Sequence, residues 1–408
     1  MESKISKATA TIAELSSLEI STPTAKQEAI QKCQSIIKSL QDPGQVVMET
    51  LASVANYPCL VALSNLGVFE KLAASKEPLT ATELATECCA DKWLVTRLMR
   101  VAAAWDIIEE TGPETYTATG ASTIFAMPAF AAGLRNTLFS SKILSDIPQF
   151  LKESSYANPT DYHNGLFQYN MKTKLGLFEW RAGNKEAMDD FNMFMTIQRT
   201  RGQQWCETFD IQRRIFDGVE IDPSKPLLVD IAGGFGQDLR LVKEALGEGG
   251  YIVSRGELVL EDQGHVISNV PGDMHDPDFS YVPHDFFTPQ PIKGARIYTL
   301  KGVIHDWTES KALEILKNTA SAMEKGYSKL WILDGVVPDT GADKIMAGLD
   351  IGMMALFGAC ERTREQWGTL LRDAGLRIES VSTGKDGFGL IEAVLDEQKG
   401  ICGGVITA

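Results

Sequence analysis

A short glycine-rich segment constrains the fold of this chain more than any other feature. Residues 227–232 form an apolar run typical of a buried strand, residues 233–236 contain three glycines, and residues 238–245 have helical spacing. A glycine turn between a buried strand and a helix lets a ligand approach bare backbone. Further apolar strands alternate with helical stretches, at residues 257–260, 295–300 and 330–334. This alternation predicts an α/β domain built on a doubly wound, Rossmann-like parallel sheet.

The residues around the turn indicate which ligand it binds. Dinucleotide-binding turns follow the pattern Gly-x-Gly-x-x-Gly, whereas the glycines here are Gly233, Gly234 and Gly236. Asp230 closes the first strand, where a carboxylate suits a cationic sulfonium better than a pyrophosphate. Asp262 closes the second strand, where an acidic residue binds a ribose diol. Together these residues predict a site for S-adenosylmethionine (SAM).

The N-terminal third predicts a second, mostly helical domain. Residues 1–45 form a flexible or helical arm that ends at the turn 42–44, and Pro58 interrupts the helical spacing that follows. Residues 46–130 then contain helix, turn, helix and a two-stranded wing that turns at Gly112-Pro113. Thr80 or Thr82 is the expected cap of the first helix of this motif. The pattern is that of a winged-helix domain, which serves DNA recognition or dimerisation.

Charge favours dimerisation over DNA recognition. The formal net charge is −15, and the predicted second helix of the winged-helix motif, residues 91–105, has only three basic residues. A helix that reads a DNA groove needs a basic face, and an acidic surface is repelled by phosphates. No apolar run reaches the roughly 18 residues that span a bilayer. We therefore expect neither a nucleic-acid nor a membrane partner.

Residues 131–215 predict a helical linker that roofs a pocket, and residues 216–408 the SAM-binding domain. The linker is rich in aromatic residues and methionines, most of which suit a core or a dimer contact. Some suit an apolar wall over a flat substrate. The methionines that are candidates for such a wall are Met193, Met195, Met353 and Met354.

Cysteine and histidine usage indicates the compartment and argues against a metal. The seven cysteines form no Cys-x-x-Cys pair, and their odd number argues against a disulfide framework. The five histidines form no cluster with metal-ligand spacing. We expect reduced thiols, no metal, and a cytoplasmic protein.

With these features in place, the chain resembles the plant and fungal small-molecule O-methyltransferases over nearly its whole length. The segments that carry the resemblance are residues 229–236, 258–263, 284–287, 300–307, 333–339 and 361–363. The resemblance implies that the glycine turn and Asp262 hold the methionine and ribose parts of SAM, and that Asp285 and Phe286 flank the adenine. It also implies a homodimer in which one subunit helps to close the other's pocket.

The same resemblance places His305 on the family's general base, with Asp334 and Glu361 on the acidic positions that orient it. A histidine takes a proton from a phenol or enol only when a carboxylate fixes its tautomer. His305 directly follows a strand end that faces the cofactor crevice, which favours a catalytic role over packing. These residues are consistent with methyl transfer to a phenol or enol hydroxyl of a polyketide-type molecule.

Two other residues favour a different reaction. Lys301 and Thr196 resemble the pair used by a fungal branch of the family, the SAM-dependent pericyclases of pyridone alkaloid pathways. The resemblance implies that both residues donate hydrogen bonds to the carbonyl of a quinone methide, while SAM stays bound and keeps its methyl group. Our preferred prediction is a pericyclase that dehydrates a pyridone-type alcohol and directs an Alder-ene or hetero-Diels–Alder cyclisation. The alternative is O-methyl transfer, in which Lys301 binds the SAM carboxylate.

Overall fold

The computed structural model describes residues 2–16, 22–201, 205–384 and 388–396. The chain divides into two compact units, Met1–Leu134 and Arg135–Ala408. Within the described residues, the first unit contains a small three-stranded sheet among helices, and the second contains an eight-stranded sheet. The predicted fold class, a Rossmann-like α/β domain preceded by a mostly helical domain, is confirmed.

The first unit contains the predicted winged helix. Its elements are α1 (Glu2–Ser16), α2 (Pro23–Leu40), α3 (Pro43–Ala52), a 3₁₀ turn (Ser53–Ala55), α4 (Asn56–Asn65), α5 (Val68–Ala74), β1 (Leu79–Thr80), α6 (Ala81–Glu87), α7 (Lys92–Ala104), β2 (Ile108–Gly112), β3 (Thr115–Ala118) and α8 (Gly120–Phe125). Helix α6 begins at a capping box between Thr80 and Glu83, and Asp91 caps α7. The antiparallel strands β2 and β3 form the wing.

Two local predictions in this unit are wrong. The segment 42–44 begins a helix instead of forming a turn, because the carboxylate of Asp42 accepts the N–H groups of Gly44 and Gln45. Pro43 takes the first helical position, where its missing N–H leaves no bond unmade. Pro58 interrupts nothing, since it lies in the first turn of α4 and the break in the helix precedes it at Ser53–Ala55.

The stretch from α3 to α4 is the most apolar long helical stretch among the described residues of the first unit. By length and composition alone, Pro43–Asn65 is apolar enough to cross a membrane, with a mean hydropathy of 1.5 over a stretch that is 17% buried. Uncharged polar residues interrupt the apolar residues along this stretch, so it contains no long unbroken apolar run. Its one charged residue is Glu49. The face of α3 and the turn after it is exposed. We call it the α3 surface: Val47, Met48, Leu51 and Val54.

The chain between the winged helix and the large sheet is helical. Its helices are α9 (Pro128–Leu144), α10 (Ile147–Glu153), α11 (Leu166–Met171), α12 (Leu177–Ala182), α13 (Lys185–Arg201), α14 (Trp205–Thr208) and α15 (Ile211–Phe216). Buried side chains of α9, α11 and α12 pack with residues 353–359 in one apolar cluster. This cluster lies wholly within the second unit.

The second unit is organised by its sheet. The strands are β4 (Leu228–Ile231), β5 (Leu258–Asp262), β6 (Phe279–Pro283), β7 (Ile297–Lys301), β8 (Lys329–Val337), β9 (Arg362–Thr363), β10 (Leu376–Thr383) and β11 (Phe388–Leu395). They lie in the order β10-β11-β8-β7-β4-β5-β6, with β9 beside the end of β8. From β8 to β6 the strands are parallel, as predicted. Strands β10 and β11 pair antiparallel at one edge, which the sequence analysis did not anticipate.

Helices accompany both faces of this sheet. They are α16 (Gln237–Glu248), α17 (Gly264–Ile267), α18 (Glu309–Ala320), α19 (Lys344–Phe357) and α20 (Arg364–Asp373), with 3₁₀ turns at Gly272–Met274 and Ile304–Asp306. Alternate residues of β4 belong to different apolar clusters. Val229 and Ile231 pack in one cluster, and Leu228 packs in the other. Both faces of the strand are therefore buried, as is usual for a parallel sheet. The carboxyl ends of its strands meet at one edge, where such folds bind ligands.

Candidate active site

The glycine turn joins β4 to α16, and three of its residues have no side chain. A Cβ on Gly233 would lie 2.4 Å from Oδ2 of Asp230 and 2.5 Å from Cδ1 of Leu260, so a larger residue does not fit. Gly234 and Gly236 have φ values of 63° and 79°, in the left-handed region that favours glycine. The turn is thus closely packed at Gly233, and Gly234 and Gly236 give it a backbone conformation that residues with a Cβ rarely adopt.

Two carboxylates brace this turn. Asp230 is 3% exposed and accepts a hydrogen bond of 2.8 Å from the hydroxyl of Thr299. Asp262 accepts the N–H of Gly234 at 2.8 Å and the N–H of Gln263 at 2.7 Å. Asp262 is half-buried, and a carboxylate is the kind of group that accepts hydrogen bonds from a ribose diol.

The residues expected at the ribose and the adenine surround one cavity. This cavity is lined by Ala232, Asp262, Gln263, His284, Asp285 and Phe286. Asp285 is exposed, and the half-buried ring of Phe286 packs edge-on against that of Trp307. His284 was not predicted as part of this wall. Its Nδ1 lies 3.0 Å from Oε2 of the buried Glu261, and this contact fixes the ring.

Lys301 ends β7 beside the glycine turn and is already engaged by a carboxylate. Its Nζ lies 2.5 Å from Oδ1 of Asp238, which also accepts the indole N–H of Trp205 at 2.9 Å. Asp238 belongs to the first turn of α16, where the helix dipole also stabilises a negative charge. The Lys301 side chain is 16% exposed. The structure therefore places Lys301 in an ion pair at the start of the cofactor helix.

His305 lies in the 3₁₀ turn after β7 and is held by Glu361. Its Nδ1 is 2.7 Å from Oε1 of Glu361, whose side chain is fully buried. Asp334, at 0% exposure, accepts the backbone N–H of Ile304 at 3.1 Å. Of the two acidic residues expected to orient the ring, Glu361 bonds it directly, while Asp334 holds the backbone turn that carries it.

A third carboxylate completes a buried cluster of charges around His305. Oδ1 of Asp306 lies 3.7 Å from Nε2 of His305. Burial alone would lower the pKa of His305, but Asp306, Asp334 and Glu361 raise it to about 10. Burial raises the pKa of Asp306 to about 6 and that of Asp334 to about 7. At neutral pH the imidazole is therefore protonated, and it becomes a strong base once it loses that proton.

Gly335 is a site residue that the sequence analysis missed. A Cβ at this position would stand 2.3 Å from Oε2 of Glu361, so any larger residue would displace the carboxylate that holds His305. The signal was visible, since Gly335 lies within the buried strand β8, where glycine weakens pairing. An interior glycine of this kind indicates that another group approaches the backbone closely.

Aromatic rings line the region next to His305. Trp307 packs on Tyr162 with ring centroids 5.2 Å apart, and Tyr162 stacks on Phe357 at 6.4 Å. Phe357 contacts Phe178 at 5.2 Å, and Phe178 contacts Phe191 at 6.0 Å. We call these five rings the aromatic wall. A wall of this kind suits a flat apolar substrate.

The methionines expected to line the pocket have different environments. Met353 is 9% exposed and packs within the apolar cluster of the linker helices, and Met354 is half-buried. Met195 is half-buried, and Met193 is 45% exposed. Thr196 belongs to α13, but its side chain lies outside the described residues. The roles predicted for these residues remain predictions.

Comparison with known proteins places the chain in a family. Residues 163–377 match the O-methyltransferase domain, and residues 48–128 match the O-methyltransferase dimerisation domain. The chain belongs to the O-methyltransferase family. It is 34% identical to O-methyltransferase penC of Penicillium thymicola over 91% of each chain. The solved structure of LepI in complex with SAM has a TM-score of 0.83 at 26% identity, covering 96% of this chain and 100% of that one. A structure described as a pericyclic reaction enzyme has a TM-score of 0.82 at 26% identity, with the same coverage.

The residues of the site fit SAM. Gly233, Gly234 and Gly236 carry no Cβ, so an extended cofactor can approach the backbone of the turn. Asp262, which we expect at the ribose, and Phe286, whose ring suits contact with a purine, line the same cavity. Among the described residues, no group of three or more His, Cys, Asp or Glu side chains forms a metal site.

Proposed function

We propose that this chain is a SAM-dependent O-methyltransferase of fungal secondary metabolism that acts on a phenolic or enolic hydroxyl of a small aromatic molecule. The observation that carries this proposal is the 2.7 Å contact between His305 Nδ1 and Glu361 Oε1. The contact leaves Nε2, which lies 3.7 Å from Oδ1 of Asp306, as the nitrogen that would take the substrate proton. A carboxylate that fixes the tautomer of a histidine is the arrangement required for a general base.

SAM, when bound, supplies an electrophilic methyl group. The residues of the chain do the remaining work. The aromatic wall orients a flat substrate and excludes water, and His305 Nε2 accepts the hydroxyl proton as the oxygen becomes nucleophilic. The negative charges of Asp306, Asp334 and Glu361 stabilise the imidazolium that results. Lys301, beside the glycine turn, is close to the expected position of the methionine part of the cofactor.

Two observations keep a SAM-dependent pericyclase as the second candidate. Similarity to LepI and to a pericyclic reaction enzyme covers nearly the whole chain. A histidine that stays protonated at neutral pH is also a proton donor, which suits dehydration of an alcohol to a quinone methide. Against this candidate, the ammonium of Lys301 is held by Asp238, so it is not free to polarise a substrate carbonyl. Because of this ion pair we prefer methyl transfer, whereas the sequence alone favoured the pericyclase.

The two candidates give different products from the same incubation. We expect a phenol or enol substrate, supplied with SAM, to gain the mass of one methyl group while S-adenosylhomocysteine is released. The measurement is mass spectrometry of both products from one reaction. A pyridone-type alcohol that loses water and cyclises while SAM is unconsumed would instead establish the pericyclase.

Lys301→Ala provides the companion experiment to this incubation. If Lys301 binds the cofactor, the variant weakens SAM binding, measured by calorimetry. If Lys301 activates a carbonyl, the variant abolishes cyclisation and largely retains SAM affinity. Asp238→Asn frees the lysine without removing it, so under the pericyclase mechanism it would preserve or increase cyclisation.

We also propose that the chain forms a homodimer through the α3 surface, since the dimerisation-domain match begins at residue 48. Leu51 and Val54 are 65% and 79% exposed, and neighbouring exposed apolar side chains on one face are typical of a protein interface. We expect Leu51→Asp with Val54→Asp to convert a dimer into a monomer, as measured by light scattering. The matched control is Ile252→Asp, which alters an exposed apolar residue of the second unit and leaves the dimer intact. An unchanged mass for the double variant would exclude this surface.

A further inference from the structure

Arg181, on helix α12, is a buried cation without a carboxylate partner. It is 2% exposed, and among the described residues no carboxylate oxygen lies within ion-pairing distance of its guanidinium. Its Nη2 donates a hydrogen bond of 2.7 Å to Oδ1 of Asn136, and its Nε has no partner in this part of the chain. Burying a guanidinium is costly unless the charge is compensated.

The rings around Arg181 connect it to the active site. Its guanidinium carbon lies 4.1 Å from the centroid of Phe191 and 5.7 Å from that of Phe139. Phe191 is one end of the aromatic wall, and Trp307, two residues beyond His305, is the other. Both Phe139 and Phe191 are half-buried, so part of each ring is accessible, whereas the guanidinium beside them is buried. One continuous row of rings therefore runs between a cation and the candidate base.

The charges of the site also reach Arg181. Burial lowers the pKa of its guanidinium to about 10, and the charge of Asp306 opposes this shift. In turn, Arg181 is among the groups that lower the pKa of Asp306 against the effect of burial. The guanidinium thus remains charged at neutral pH, within electrostatic reach of the residue that follows His305.

We propose that Arg181 is a substrate-binding residue, which selects flat aromatic substrates that carry an anionic or enolic oxygen at the end of the molecule away from the oxygen that reacts. The proposal rests on the proposed function only in that the aromatic wall holds the substrate. A planar guanidinium donates paired hydrogen bonds to such an oxygen, and these bonds are strong in a water-poor pocket. An oxygen of this kind supplies the counter-charge that Arg181 lacks.

The test compares two probes of equal shape on the full-length enzyme loaded with S-adenosylhomocysteine. The probes are 4-hydroxycoumarin, an acidic enol, and coumarin, which lacks the acidic oxygen. We expect wild type to bind 4-hydroxycoumarin about 10- to 100-fold more tightly, as measured by calorimetry. Arg181→Met should abolish this preference, and Arg181→Lys, which keeps the charge but loses the planar fork, should retain part of it. The loss should appear in probe affinity and leave S-adenosylhomocysteine affinity unchanged.

Thermal unfolding separates this role from a structural one. A buried charge without a counter-charge carries a desolvation penalty, and methionine removes that charge at similar volume, so the Tm of Arg181→Met should not fall. The control is Arg135→Met, which removes a nearby arginine paired with Asp190 at 2.6 Å and should leave the probe preference intact. Equal binding of both probes by wild type, no binding of 4-hydroxycoumarin, or an unchanged preference in both Arg181 variants would overturn the proposal. Because the readout is binding, it does not depend on whether the methyl group is transferred.

Discussion

His305→Asn is expected to lower kcat/KM for methyl transfer by about 10²- to 10⁴-fold, the contribution typical of a general base. Asparagine retains a polar group that reaches Glu361 but cannot hold a proton. The affinity for SAM should be unchanged, because the ring of His305 contacts Glu361 and Asp306 and not the glycine turn. Steady-state kinetics and calorimetry on the same preparation measure the two quantities.

The pH dependence of kcat/KM in the wild-type enzyme also tests whether His305 is a general base. Three neighbouring carboxylates raise the pKa of His305 to about 10 against the effect of burial, so the ring is protonated at neutral pH. A base acts in its neutral form, and kcat/KM should therefore rise with pH towards about 10. If His305 instead donates a proton to a leaving hydroxyl, the rate falls as pH passes through the same value. A rate that rises with pH therefore supports methyl transfer, and a rate that falls with pH supports the pericyclase.

Glu361→Gln is the matched variant for this profile. It removes a charge and an ionic hydrogen bond that raise the pKa of His305, so the rise of kcat/KM should occur at lower pH. The maximal rate should also fall, since the amide orients the ring less firmly than a carboxylate does. A His305→Asn enzyme with nearly full activity, or a Glu361→Gln profile that does not move, would contradict the role assigned to this pair.

Gly233→Ala is expected to weaken SAM binding by at least about 100-fold, because it displaces the turn that the cofactor crosses. The added Cβ would lie 2.4 Å from Oδ2 of Asp230 and 2.5 Å from Cδ1 of Leu260. Asp230 is buried and bonded to Thr299, so it has little freedom to move aside. The turn must shift instead, and Gly234 moves away from Asp262, which accepts its N–H. Calorimetric titration with SAM measures the loss.

Gly247→Ala is the matched control for Gly233→Ala. Gly247 lies in the last turn of α16, and a Cβ there would have no other heavy atom within 4 Å. Alanine has a higher helix propensity than glycine, so SAM affinity should be unchanged and stability equal or higher. Circular dichroism establishes that both variants fold. Full SAM affinity in a folded Gly233→Ala enzyme would mean that the cofactor does not cross this turn.

Much of the fold follows from local patterns along the chain. Buried strands that alternate with helices predicted the parallel sheet, and Thr80 and Asp91 marked the helices of the winged-helix motif. These features were readable because a cap or a strand period depends on residues close in sequence. The antiparallel pair β10 and β11 was not anticipated, because it lies at the sheet edge, where the residues of β10 are only partly buried.

The candidate site divides in the same way. The sequence by itself determined the glycine turn, the acidic residues that follow the strands, and the proximity of His305 to the cofactor edge. Only the tertiary structure decided which groups pair: Lys301 with Asp238, His305 with Glu361, and Gly335 against the same glutamate. These pairs join residues 26 to 63 positions apart, and no spacing rule reports a contact of that range. The balance between methyl transfer and cyclisation depends on those contacts, because the groups around Lys301 and His305 decide which hydrogen bonds and protons these two side chains can offer to a substrate.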